Sequence, residues 1–194
     1  MARPREFDVD QALDRAMRTF WQHGYQGTSV GELMEAAGVQ KQSLYCAFGD
    51  KHSLFLKSVE LYTKQVLAQV RAIIHETASP VAAVEKVMRF AIMPAKAKNC
   101  PEGCLGANTA LELGLTDPEA AKEVEKLFRG LEDILGKAIK KGQESGEISA
   151  RFESAAIAQS LVNTLNGIRV LEKTGASLKQ LNVIVDMALA VIKG

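Results

Sequence analysis

The stretch Gly38 to Phe55, GVQKQSLYCAFGDKHSLF, decides how the whole chain is read. It gathers Lys41, Gln42, Ser43 and Tyr45 on one short helix, follows them with Lys51, and leaves almost no room for a core. Polar side chains massed at the start of a helix suit DNA, whose phosphates and base edges are bound by these residue types. The helix is predicted from about Gln40 to Phe48, between two glycines. Just upstream, in TSVGELMEAAGV, Ser29 and Glu32 match a capping box, and Val30, Leu33, Met34 and Ala37 can face inward. Gly38 supplies the left-handed residue of a tight turn. Two short helices set about such a turn form a helix–turn–helix, here over about residues 29–48.

Working outward, Asp8 is a good N-cap for a first helix whose Val9, Ala12, Leu13, Ala16 and Phe20 share a face, ending at Gly24. Downstream, Asp50 caps a long helix lined by Phe55, Val59, Tyr62, Val66, Val70 and Ile73, a connector to the remainder. Ser79–Pro80 opens another helix, with Val81, Val84, Met88 and Ile92 on one side. CPEGCLG then interrupts the pattern, because Pro101 and Gly103 disfavour a continuous helix. A short helix is predicted over Ala107–Leu113, and a longer one from Thr116–Asp117–Pro118 to about Lys141. Two more follow, over Phe152–Lys173 and Ser177–Ile192. Strand signals are weak throughout. The expectation is an all-α protein of about nine helices, with a DNA-binding unit over 6–66 and a ligand-binding and dimerisation unit over 67–194. The last helix is apolar beyond a single stripe, so a symmetric partner is expected to cover it. Leu161, Leu165, Leu181, Val185 and Ala188 are predicted near the centre of a four-helix homodimer interface.

Composition narrows the class without naming a partner. Of the 194 residues 47% are apolar, enough for a sizeable core, and the net charge is only +1. Within residues 1–60, seven Lys and Arg stand against eight Asp and Glu, so any DNA contact depends on where charge is placed rather than on bulk attraction. The start MARPREFDVD carries no apolar run of the kind a secretory signal needs, and no stretch approaches the roughly 20 apolar residues of a membrane helix. Three cysteines argue against a disulfide framework. A cytoplasmic protein with no membrane partner is expected.

Residues 6–66 resemble the N-terminal DNA-binding domain of the TetR family of transcriptional regulators. The resemblance rests on Gly24–Tyr25, Thr28–Ser29–Val30, Ala36–Ala37–Gly38–Val39, Ser43–Leu44–Tyr45, Phe48 and Lys51. The rest of the chain matches only in helical layout. The resemblance implies a homodimer on double-stranded, palindromic operator DNA, released by a small-molecule effector, with no enzymatic activity and no cofactor. Tyr45 and Lys51 resemble the family's phosphate-contacting pair. Thr28 and Ser29 sit at a helix N-terminus, where a phosphate oxygen is well received. Gln40, Lys41, Gln42 and Ser43 open the recognition helix and so can reach base edges. Two departures bear on sequence preference: Gln40 stands where a serine or threonine cap is common, and Cys46 lies within the recognition helix. Arg3 and Arg5 are read either as an arm to the DNA backbone or minor groove or as a disordered terminus.

Two readings stay open for Cys100 and Cys104. Zinc is disfavoured because no second cysteine pair exists and His23, His52 and His75 lie far off in sequence. No downstream histidine is present to serve as base for a thiol enzyme. Either both cysteines are small buried apolar residues, or Cys104 is an electrophile- or oxidant-sensitive thiol with Cys100 as its resolving partner. Lys96, Lys98 and the helix that follows Cys104 favour a thiolate. Met88, Met93, Leu105, Leu111 and Phe128 are candidates for an apolar cavity, with Asn108, Glu112, Asn163 and Asn166 as its polar groups. A repressor is the expected function. The alternatives are an activator of the same family, or a helical thiol- or redox-binding protein whose N-terminal unit is only structural.

Overall fold

The computed structural model describes residues 8–93 and 100–193. These form helices throughout: α1 (Val9–His23), α2 (Val30–Ala37), α3 (Lys41–Phe48), α4 (Lys51–His75), α5 (Pro80–Ala91), α6 (Leu105–Leu113), α7 (Pro118–Glu144), α8 (Ser154–Lys173) and α9 (Leu178–Lys193). No strand is present among the described residues, and none of their helices is long and apolar enough to cross a membrane.

The predicted caps set the helix starts. Asp8 accepts from the amides of Asp10 and Gln11, Ser79 from Ala82, and Asp117 from Glu119 and Ala120. Both halves of the Ser29–Glu32 capping box form, and Gly38 takes the left-handed conformation (φ 70°, ψ 30°) that turns α2 into α3. Three boundaries differ from expectation. The short central helix begins at Leu105 rather than Ala107, because the Cys104 thiol itself accepts from the Ala107 amide and caps it. The next helix continues past Lys141 to Glu144, and Ser154 rather than Phe152 begins α8.

α1 packs on α2 and α4, and α3 is held across them by buried Leu44 and Phe48. Phe20 stands edge-on to Phe55 at 5.1 Å, with Tyr25 4.9 Å from the same ring. α4 passes without a break from this unit into the second, where it packs on α7. α7 also carries α5, α6 and α8, and α9 closes the layer against α8 and α5. Asp186, which interrupts the apolar run of α9, is explained by α5. The Arg89 guanidinium reaches its carboxylate at 2.5 Å and donates to Asn182 Oδ1 at 2.8 Å.

Three of the five predicted dimer residues need correction. Leu161, Leu181 and Val185 are 1%, 2% and 0% exposed, buried in the chain's own core, while Leu165 and Ala188 are half-buried against it. The regular apolar stripes of α8 and α9 are those that face their own neighbours. What points outward is a second set: Val183, Met187 and Val191 on α9, and Asn163, Gly167, Val170 and Leu171 on α8.

Candidate nucleic-acid interface

α3 presents its first turn to solvent. Leu44 and Phe48 anchor one side, while Gln40, Lys41 and Gln42 are exposed and Ser43 and Tyr45 half-buried. Gln40 makes no side-chain cap, so the opening amides of α3 have no partner from it. A helix start left open in this way, with amide, ammonium and hydroxyl side chains around it, suits anionic DNA. Cys46 is exposed on the same helix.

Two cations flank α3, each against an aromatic ring. Lys41 Nζ lies 5.7 Å from the Tyr45 ring centroid, and Lys51 Nζ lies 4.4 Å from that of Tyr25. The Tyr25 platform was not singled out from the sequence; Gly24–Tyr25 figured only as a motif match. Burial, then Asp50, Asp117 and Tyr45, push the Tyr25 phenol above its ordinary value, so it stays neutral beneath the ammonium.

Thr28 and Ser29 part ways. Thr28 is 1% exposed and donates its hydroxyl to the Gly24 carbonyl at 2.6 Å, which ties the α1–α2 loop and removes that hydroxyl from any phosphate. Ser29 is exposed and accepts from the Glu32 amide, which leaves its hydroxyl proton free to be donated outward. Arg3, Arg5, Lys96 and Lys98 lie outside the described residues.

Among the described residues, polar contacts at several places join this unit to the second one. Glu112, on α6, accepts from the amides of Tyr25 (2.9 Å) and Gln26 (2.6 Å). Gly24 takes a positive φ (78°) that favours glycine, and a Cβ there would stand 2.8 Å from the Glu112 carboxylate and push that side chain aside. Asn108 donates to the Trp21 carbonyl at 3.2 Å and accepts from Lys173 at 3.3 Å. His52 Nε2 lies 2.6 Å from Asp117 Oδ2 at the start of α7. Asn108 and Glu112 therefore serve the joint, where with Leu111 they also line an open cleft against Gly24 and Lys173. Short polar side chains look alike in a sequence whether they face a ligand or a neighbouring loop.

A cavity of about 250 Å³ does lie where the two units meet, walled by α1, α4, α5, α7, α8 and the Cys100–Cys104 turn. Of the predicted residues it brings together Phe128, Asn166, Cys100 and Cys104. Met88 is buried core, Leu105 likewise, Met93 and Leu111 are exposed, and Asn163 faces outward on α8. Cys104 is buried and Cys100 half-buried. Tyr62 donates its hydroxyl to Cys104 Sγ at 3.2 Å. Burial first, and Cys104 next, push the Tyr62 phenol well above its ordinary value and keep it a donor. Among the described residues no group of three His, Cys, Asp or Glu side chains could hold a metal ion.

A helix–turn–helix with an open recognition helix, joined by one long helix to a helical unit with a cavity where the two meet, defines a DNA-binding regulator. Comparison with known proteins agrees. Residues 12–57 match the model of the bacterial regulatory proteins of the tetR family, and residues 80–185 match the tetracyclin repressor-like C-terminal domain. The chain is 30% identical over 188 residues to the HTH-type transcriptional repressor ComR of Escherichia coli, covering 96% of this chain and 90% of ComR. It is 28% identical over 193 residues to the HTH-type transcriptional regulator YezE of Bacillus subtilis, covering 99% and 100%. Among solved structures, the TetR family regulator CifR, a cysteine mutant complexed with 26 bp double-strand operator DNA, superposes with a TM-score of 0.83 at 28% identity, over 98% of this chain and 100% of that one. The chain belongs to the TetR family of transcriptional regulators, which act by binding DNA and not by catalysis.

Proposed function

We propose that the chain is a cytoplasmic homodimeric repressor that sits on a palindromic operator and leaves it when the cavity behind α6 is filled or when Cys104 is modified. The observation that carries the reading is the exposed start of α3: Gln40, Lys41, Gln42 and Ser43 surround helix amides with no side-chain cap, and Leu44 and Phe48 hold that end rigid. The repressor name of ComR and the operator complex of CifR support it. The DNA-binding unit comprises about residues 6–66 and the effector and dimer unit 67–194. The outward faces of α8 and α9 form the dimer contact, in place of the buried Leu161, Leu181 and Val185. Two recognition helices then stand about 34 Å apart, one turn of DNA.

The switch follows from α6. Its first residue is capped by a cavity cysteine, and Glu112, near its other end, grips the α1–α2 loop. A bulky adduct on Cys104 removes the cap and displaces the helix start. For release, the modified or occupied state must favour the arrangement with the wrong spacing, since equal affinity for both arrangements shifts nothing.

Two experiments test this. Selection from random duplexes should enrich a palindrome with half-sites one turn apart; enrichment of no sequence, or of a single asymmetric site, overturns the operator reading. N-ethylmaleimide added to the complex should release DNA from the native protein and from Cys46→Ser, but not from Cys104→Ser. Release that persists in Cys104→Ser and vanishes in Cys46→Ser would place the effect on the recognition helix and sink the sensor.

A further inference from the structure

Among the described residues, one buried donor of the cavity wall has no acceptor. Trp21, on α1, lines the cavity and is 9% exposed, and its Nε1–H is buried with no hydrogen-bond partner among the described residues. The indole stands edge-on to Tyr62, with ring centroids 4.8 Å apart. The Tyr62 hydroxyl is already committed to Cys104 Sγ, so the phenol proton is used and the indole proton is not. Buried N–H groups are nearly always paired in native proteins, so this N–H, closed to water as the ring now sits, becomes available to an acceptor once a ligand shifts the indole edge toward the cavity.

Among the described residues, the guanidinium groups at the cavity each have a carboxylate partner. Arg169 NH1 donates to Glu172 Oε2 at 3.0 Å, with both side chains mostly buried. Arg18 Nε donates to Asp14 Oδ2 at 2.8 Å, and Gln65 reaches the other oxygen of that carboxylate at 3.4 Å. An anion entering here would compete with carboxylates already in place, and a cation would meet the guanidinium groups. Much of the remaining wall is apolar, including Met17, Val66, Val70, Val87, Phe128 and Leu131. The volume of about 250 Å³ lies between the roughly 150 Å³ that accommodates benzene and the roughly 300 Å³ where drug-sized pockets begin. It suits a single substituted ring.

We infer that the cavity takes a neutral, single-ring-sized apolar molecule with one hydrogen-bond acceptor, a carbonyl or ether oxygen, which Trp21 Nε1 holds. This rests on reading the cavity as the effector site, but it concerns recognition and not release. The seat also has a way to the DNA-binding unit: the Trp21 carbonyl takes the Asn108 amide of α6, and Glu112 of α6 holds the loop that follows α1.

The test uses the full-length protein and three probes of similar size. Acetophenone is neutral and carries an acceptor, benzoate is anionic, and ethylbenzene has no acceptor; none alkylates a thiol. Trp21 is the only tryptophan, so the protein has one indole N–H resonance. Acetophenone should move that proton downfield, and ethylbenzene should not. By calorimetry acetophenone should bind roughly tenfold tighter than ethylbenzene, the worth of one hydrogen bond, and tighter than benzoate, whose charge meets the carboxylates already in place. Trp21→Phe should erase acetophenone's advantage over ethylbenzene. Tighter binding of benzoate, equal binding of ethylbenzene to the native protein, an unmoved indole proton, or no binding of any probe overturns the inference. The probe comparison needs no variant, so misfolding of Trp21→Phe would not shield it. Acetophenone bound without operator release would leave this inference standing and sink the cavity's proposed role. Release by N-ethylmaleimide without an acetophenone preference would do the reverse.

Discussion

Lys51 and Gln42 lie nine positions apart and are expected to answer differently to DNA. Lys51 is the first residue of α4, poised over the Tyr25 ring. Lys51→Ala should weaken binding to every duplex alike and lower the slope of log K against log salt by about one, the signature of one lost phosphate contact. Substitutions at Gln42, exposed on the opening turn of α3, should change which bases are preferred while leaving that slope in place. A titration of each variant against matched and mismatched duplexes at several salt concentrations separates the two. Tyr45, Lys51 and the α3 opening were legible in the sequence because their motif is local. The Thr28 hydroxyl was not: its partner, the Gly24 carbonyl, is chosen by the path of the loop.

At the scale of elements, α6 acts as a strut between the cavity and the reading unit. Glu112→Ala removes two hydrogen bonds from a partly exposed carboxylate, a loss of about 1–2 kcal/mol, or roughly 5 °C in melting temperature. Operator affinity should fall with it, while far-UV circular dichroism stays helical. Unchanged melting and unchanged affinity together would show that the strut carries nothing. A second joint responds to pH. Burial raises the Asp117 carboxyl, but the amides of Ala120 and Glu119 and the His52 ring outweigh it and hold the group below the ordinary carboxylate range. A depressed carboxyl contributes stability that is present above its unfolded value, about 3.9, and lost as the pH falls through its folded value. Asp117→Asn should therefore flatten the acid limb of the stability profile, measured by urea unfolding between about pH 5 and pH 2.

For the whole molecule, the decisive surface is the one that α8 and α9 leave uncovered. Met187 is 69% exposed and Val183 56%, one turn apart on α9. Met187→Asp should leave the fold intact and give monomers by sedimentation, with operator affinity lost because a lone recognition helix reads half a site. Val185→Asp, between them in sequence but 0% exposed, should instead unfold the second unit, since a buried unpaired charge is not tolerated. A folded monomer from Val185→Asp and an unperturbed dimer from Met187→Asp would reverse the assignment.

What the sequence determined by itself was everything set within a turn or two of helix: the caps at Asp8, Ser29, Asp50, Ser79 and Asp117, the Gly38 turn, and the polar opening of α3. These depend on hydrogen bonds between neighbours three or four residues apart, so residue type and spacing suffice. Only the tertiary structure decided which of two apolar stripes on α8 and α9 faces inward, that Glu112 serves the α1–α2 loop, and that Trp21 shares a cavity wall with Cys104. A helix with apolar residues on more than one face has no preferred inner side until its neighbours are placed. A carboxylate and the amides it accepts from, more than eighty positions away, meet only through the packing of α6 against α1.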